Sequence, residues 1–151
     1  MGGRIPASGD GPVRAAAAAP RGRPRRRPTE RDYDRLAGFR YALRRFLRFS
    51  ETAARRAGIA PAQYQLLLFV RAFRAAPTVT DLAERLQVRH QSAVGLVERC
   101  ERAGLVRRGR DSSDRRRVRV RLTRRGSEVL RRLVAAHNPQ FALLREALES
   151  S

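Results

Sequence analysis

The sequence predicts a mainly α-helical chain carrying one small β-hairpin, and three observations lead there. Apolar residues recur at helical spacing over most of the stretch from Thr29 to the end, whereas Val118 to Leu122 alternates strictly between apolar and basic residues. Two short helical patterns separated by a three-residue turn stand directly before that alternating run. A hydrophobic pattern of period 3.6 that switches to period 2 marks the point where helices give way to a strand pair.

In the first of the two short helices Leu82, Ala83 and Leu86 share a face, with Thr80 expected as the cap and Asp81 at the positive end of the helix dipole. Gln87-Val88-Arg89 makes the turn, and Val88 is expected to be its apolar plug. In the second helix Ala93, Leu96, Val97 and Cys100 form the inner stripe. That leaves Arg89, His90, Gln91, Ser92, Val94 and Gly95 on the outer side, the first turn being the part that a recognition helix presents to base edges. Gln bonds adenine in bidentate fashion, and Ser serves either kind of partner. Gly104 is placed to end this helix in the left-handed conformation.

Leu105-Val106 then starts a strand, Asp111 to Asp114 makes the loop, and Val118, Val120 and Leu122 face inward on the return strand. Arg117, Arg119 and Arg121 are expected on its outer face. About half of the residues from Arg107 to Arg125 are arginine, a density of like charge that a polyanion would neutralise. Arg110, Ser113, Asp114, Arg115, Arg116 and Arg117 are the wing residues expected at DNA. Helix, turn, helix and basic hairpin in that order are the pattern of a winged helix-turn-helix, a DNA-binding architecture.

At these residues the chain resembles the MarR family of bacterial transcription regulators. The resemblance rests on LAERLQV with SAVGLVERCERAGLV, on DSSDRRRVRVRLTRRG with its Leu122-Thr123-x-x-Gly126 close, and on PAQYQLLLF upstream. It covers about Thr29 to the end. It implies a homodimer bound to double-stranded DNA, with Arg116 in the minor groove and Asp114 holding arginines of the wing and the recognition helix in place. It also implies a pocket for a small-molecule effector between the dimer helices and the DNA-binding lobe, with Phe39, Tyr64 and Phe69 as its lining; the same aromatics suit a plain core. The chain departs from the family at Arg89 and Ala60, where Ser or Thr would cap a helix, and at Cys100, where Leu is usual.

The rest of the chain fits one domain. Residues 29–57 and 125–151 are expected to be helical dimerisation ends, because their apolar residues spread over more than one face and need a second partner. Residues 61–123 form the DNA-binding lobe. Thr123 caps the last long helix, and Pro139 is expected to break it and leave a short terminal helix. Residues 1–28 are rich in Gly, Ala, Pro and Arg and lack aromatics, so they cannot bury enough apolar surface to fold. They are either an inert disordered extension or a basic arm that adds phosphate contacts.

Of the 151 residues 34 are basic, every one an arginine, and the net charge is +20. Such a charge favours nucleic acid as partner, while the absence of lysine fits a GC-rich coding bias. No apolar run of membrane-spanning length occurs and AAAAA at 15–19 is too short for a secretory segment, which points to a soluble cytoplasmic protein without a membrane partner.

One cysteine and two histidines far apart cannot build a metal site, and no phosphate-cradling glycine motif, nucleophile elbow or carboxylate pair occurs. The chain is therefore read as a non-enzyme without cofactor. Two functions compete: a sequence-specific dimeric regulator, probed by a band that survives excess random competitor, and a basic protein that coats DNA or RNA without reading it.

Overall fold

The computed structural model describes residues 27–149. The order is α1 (Glu30–Arg56), α2 (Pro61–Ala72), α3 (Val79–Leu86), α4 (His90–Arg102), β1 (Val106–Arg110), β2 (Val118–Leu122) and α5 (Arg124–Glu149). This is a winged helix-turn-helix fold with long helices at both ends. The predicted tail, residues 1–28, lies outside the described residues except for Arg27 and Pro28.

Local sequence explains the helix starts. Thr29 and Thr78 each stand three residues before an aspartate, and each pair closes a reciprocal capping box. Thr78, not Thr80, therefore caps α3: Asp81 N donates to Thr78 Oγ1 at 3.2 Å, and Thr78 N donates to the Asp81 carboxylate at 2.7 Å. Thr80 lacks that spacing to an acid. Ala60 has no side-chain oxygen, yet Gln63 Oε1 accepts the Ala60 N–H at 2.9 Å and supplies half of the box. Arg89 opens α4 with no side-chain cap.

The helix ends are equally regular. After α4, Gly104 adopts φ +69°, its amide reaches Glu101 O and the Leu105 amide reaches Cys100 O. This is the Schellman arrangement that glycine makes easy. Gln87 repeats it at the end of α3 with φ 56°, and the Val88 amide returns to Ala83 O at 3.0 Å. Backbone bonds thus close the helix-turn-helix corner, and they turn Val88 outward to 42% exposure instead of making it the expected plug.

The core lies beneath α2, α3 and α4, with Leu66, Leu67, Leu82, Val97, Cys100, Leu105 and Val120 all fully buried. Ala93, Leu96, Val97 and Cys100 form the inner stripe of α4 as their spacing predicts. Burial pushes the Cys100 thiol up to about 11. On α2 the inward face is Tyr64, Leu66, Leu67 and Val70, while Leu68 points away from it.

The hairpin pairs Val106 with Leu122, Arg108 with Val120 and Arg110 with Val118. It is docked on the α2–α3 link, where Val120 N donates to Pro77 O at 2.8 Å. Only its base has core beneath it. Val120 is buried, but Val118 is 42% exposed where the alternation places it inside.

Helix α5 begins at Thr123, whose Oγ1 accepts the Gly126 N–H at 3.0 Å and donates to Gly104 O at 2.6 Å. It runs unbroken to Glu149 with Pro139 inside, against the expected break. Proline removes one backbone bond, the one to Ala135 O, and packing of α5 along α1 holds the helix across that gap. His137 is the buried polar residue of this layer. It sits among Phe46, Phe49 and Tyr64, and its Nδ1 is bonded to the Leu133 carbonyl at 2.6 Å.

Candidate nucleic-acid interface

Because the inner stripe of α4 is spent on the core, its first turn has to face solvent. His90, Gln91 and Ser92 are exposed, and so is Arg89 at the cap. Val94 and Gly95 are half-buried on the flank. The space over Gly95 is bordered by the tip of Arg99, whose Nη1 would lie 3.4 Å from an added Cβ. The outer surface of the helix thus carries two arginines and three small polar or imidazole side chains, all suited to phosphates and base edges.

In the wing, Arg110, Ser113, Arg115, Arg116 and Arg117 are exposed and Asp114 is half-buried. The loop is longer than the sequence predicts and runs from Asp111 to Arg117. Asp111 organises its start, since its Oδ1 accepts the Ser113 N–H at 2.8 Å and the Ser113 hydroxyl at 2.7 Å. Asp114 organises its end by accepting the Arg116 N–H at 3.0 Å and standing 3.6 Å from Arg117 Nε. Its partners are therefore wing groups; the hydrogen bonds and ion pairs of the described residues do not link it to α4.

Three acidic residues take up particular arginines. Glu101 pairs with Arg108, Asp111 with Arg119, and Asp114 with Arg117. Arg107, Arg110, Arg115, Arg116 and Arg121 have no acidic partner among the described residues, so the hairpin keeps a dense and uncompensated positive charge. Arg119 differs from the alternation pattern, which places it outside. Its side chain is only 19% exposed, with Nε 2.6 Å from Asp111 Oδ2 and Nη1 3.1 Å from Ala76 O. The hydrogen bonds from Ser113 and then from Arg119 hold the Asp111 carboxyl well below the usual carboxylate range. The loop starting at Asp111 was visible in the sequence, whereas nothing in the spacing pointed to Arg119 as a partner of Asp111.

The aromatic candidates for an effector pocket fall elsewhere. Tyr64 is buried and stacked on His137 with centroids 4.9 Å apart, and Phe39 and Phe69 are half-buried. A concavity of about 950 Å³ opens instead between α2, the end of β2 and the start of α5. Its lining includes Leu68, Arg71, Leu122, Arg124, Leu130 and Val134, and none of the three aromatics.

The sequence pattern of the MarR family matches residues 57–117, the span from the end of α1 to the wing loop. Over residues 57–117 the chain is similar to the MarR family. Solved structures share the fold over a longer stretch. The MarR family transcription regulator SP03579 is 25% identical, with 76% of this chain and 75% of that one covered and a TM-score of 0.65. MepR of Staphylococcus aureus, solved as a DNA complex, is 23% identical over 76% of this chain and 82% of its own, with a TM-score of 0.62. CouR of Rhodococcus jostii RHA1, solved with p-coumaroyl-CoA, is 23% identical over 71% of each chain, with a TM-score of 0.58. No curated protein sequence matches the chain. Among the described residues no helix of this MarR-type structure is long and apolar enough to cross a membrane, and no cluster of His, Cys, Asp and Glu could hold a metal ion.

Proposed function

We propose that the chain is a homodimeric, sequence-specific DNA-binding transcription regulator that represses by occupying a pseudo-palindromic operator. The observation that carries this reading is the outward first turn of α4, Arg89 to Ser92, beside a wing with five unpaired arginines. In a dimer two such helices enter successive major grooves about 34 Å apart, so the operator repeats the two-fold symmetry of the protein. The solved MepR–DNA complex supports the assignment of DNA as partner.

The second subunit is proposed to cover the outer face of the terminal helices. Tyr33, Leu36 and Tyr41 on α1 and Phe141 and Leu143 on α5 are each at least 54% exposed, which is unusual for a monomer. A small effector is proposed to enter the concavity between α2, β2 and α5, whose arginines and leucines suit an organic anion with an apolar body. CouR, solved with such a molecule, supports the idea of an effector.

Selection of bound duplexes from genomic fragments, followed by a shift assay with excess random competitor, tests the function. An inverted repeat whose complex survives competitor is the expected result. Recovery of unrelated fragments, all displaced alike, would instead identify a basic protein that coats nucleic acid.

A further inference from the structure

The wing places an acid at the centre of its positive charge. Asp111 lies at the end of β1, and its carboxylate is spent fully: one oxygen holds the Ser113 amide and hydroxyl, the other takes Arg119 Nε at 2.6 Å. Arg119 reaches on from there to the Ala76 carbonyl at 3.1 Å, and its backbone bridges to Thr78. A continuous chain of bonds therefore runs from the wing loop, through one guanidinium, to the link between α2 and α3. The loop's own backbone closes over it, with Asp111 N bonded to Arg117 O and Arg117 N to Asp114 O.

We propose that Asp111 and Arg119 are positioning residues that clamp the wing loop in its DNA-binding geometry, so that an acid inside a basic wing raises affinity for DNA. This rests on the DNA-binding reading above. The physics is one of order against charge. A free loop bearing Arg115, Arg116 and Arg117 must lose its conformational freedom each time it lands on a duplex, which opposes binding. A clamped loop has lost that freedom already. Arg119 is not a phosphate ligand in this account, since Asp111 neutralises its charge and its Nε and Nη1 are engaged within the fold.

Asp111→Asn tests the clamp because it keeps the Oδ1 acceptor for Ser113 while removing the charge that grips Arg119. It also raises the net charge by one above +20. Binding to a labelled random duplex is followed by anisotropy over a salt series, with Arg119→Gln and the double variant completing a cycle. Each arginine–phosphate pair that no longer forms is expected to weaken binding about fivefold near physiological salt and lower the salt slope by about 0.9.

The clamp predicts that Asp111→Asn weakens binding by at least that factor despite its added charge. It also predicts that the double variant is no weaker than Asp111→Asn alone. Amide exchange of the free protein is measured alongside, and the amides of Asp111 and Arg117, which close the loop, are expected to lose protection while the melting temperature of the lobe stays put. Tighter binding with an unchanged slope and unchanged protection would overturn the proposal. If wild-type protein binds no duplex although the variant still frees those amides, the DNA reading itself is what fails.

Discussion

Glu101, in the last turn of α4, grips Arg108 of β1 three times over. Its carboxylate accepts the Arg108 backbone N–H at 3.1 Å and Nε at 2.9 Å, and Nη2 stands at 2.7 Å. The end of α4 and the start of the hairpin are thereby tied as one body. Those hydrogen bonds hold the Glu101 carboxyl below the usual carboxylate range. Glu101→Gln is expected to cost about 0.5–1 kcal/mol, the low end for a charged pair because both side chains are partly exposed. Urea unfolding should show a lower midpoint at unchanged slope.

The reciprocal cap at the start of α3 gives the second prediction. Thr78→Ala should destabilise the lobe by about 1 kcal/mol, and Thr80→Ala by less than about 0.5 kcal/mol. The effect depends on pH, because bonds from Thr78 hold the Asp81 carboxyl below its ordinary value. A depressed carboxylate stabilises the fold fully above its unfolded value of about 3.9 and loses that contribution as pH falls through the folded value. Thermal melts at neutral pH and below pH 4 should show the gap between wild type and Thr78→Ala narrowing in acid.

Gly126 is required by a close approach. A Cβ built there would run into the Leu105 carbonyl, which also accepts the Thr123 amide at 3.0 Å. The Leu122-Thr123-x-x-Gly126 pattern thus has a physical reason: Thr123 caps α5 and bonds the chain leaving α4, and glycine lets the two backbones meet. Gly126→Ala should cost more than about 2 kcal/mol, since the obstacle is backbone and cannot yield. Differential scanning of the purified variant checks this.

Cys100 should be chemically silent. Full burial and the raised thiol leave almost no thiolate at neutral pH. A thiol reagent should label the native protein only at the rate of unfolding and label it at once in denaturant.

Much of the fold was legible because local rules dominate it. The α4 stripe, the Gly104 cap and the Thr123 start all follow from spacing within a few residues. The misreadings arise where distant parts compete. Val88 is turned outward by backbone bonds that no periodicity shows, Val118 lies beyond the core, and Pro139 is carried by packing against α1. Arg119 is the sharpest case. Alternation put it outside with its neighbours, and only the fold brings Asp111 and the Ala76 carbonyl to its guanidinium.

The outer turn of α4 is what reads sequence in this account, and Gln91 is its most direct probe. Anisotropy titration of Gln91→Ala on the selected operator and on a random duplex, at the same salt, separates reading from mere attraction. A base-edge contact predicts a loss of roughly 1–3 kcal/mol on the operator and almost none on the random duplex. Equal losses on both, or none on either, would contradict the assignment of α4 as the recognition helix.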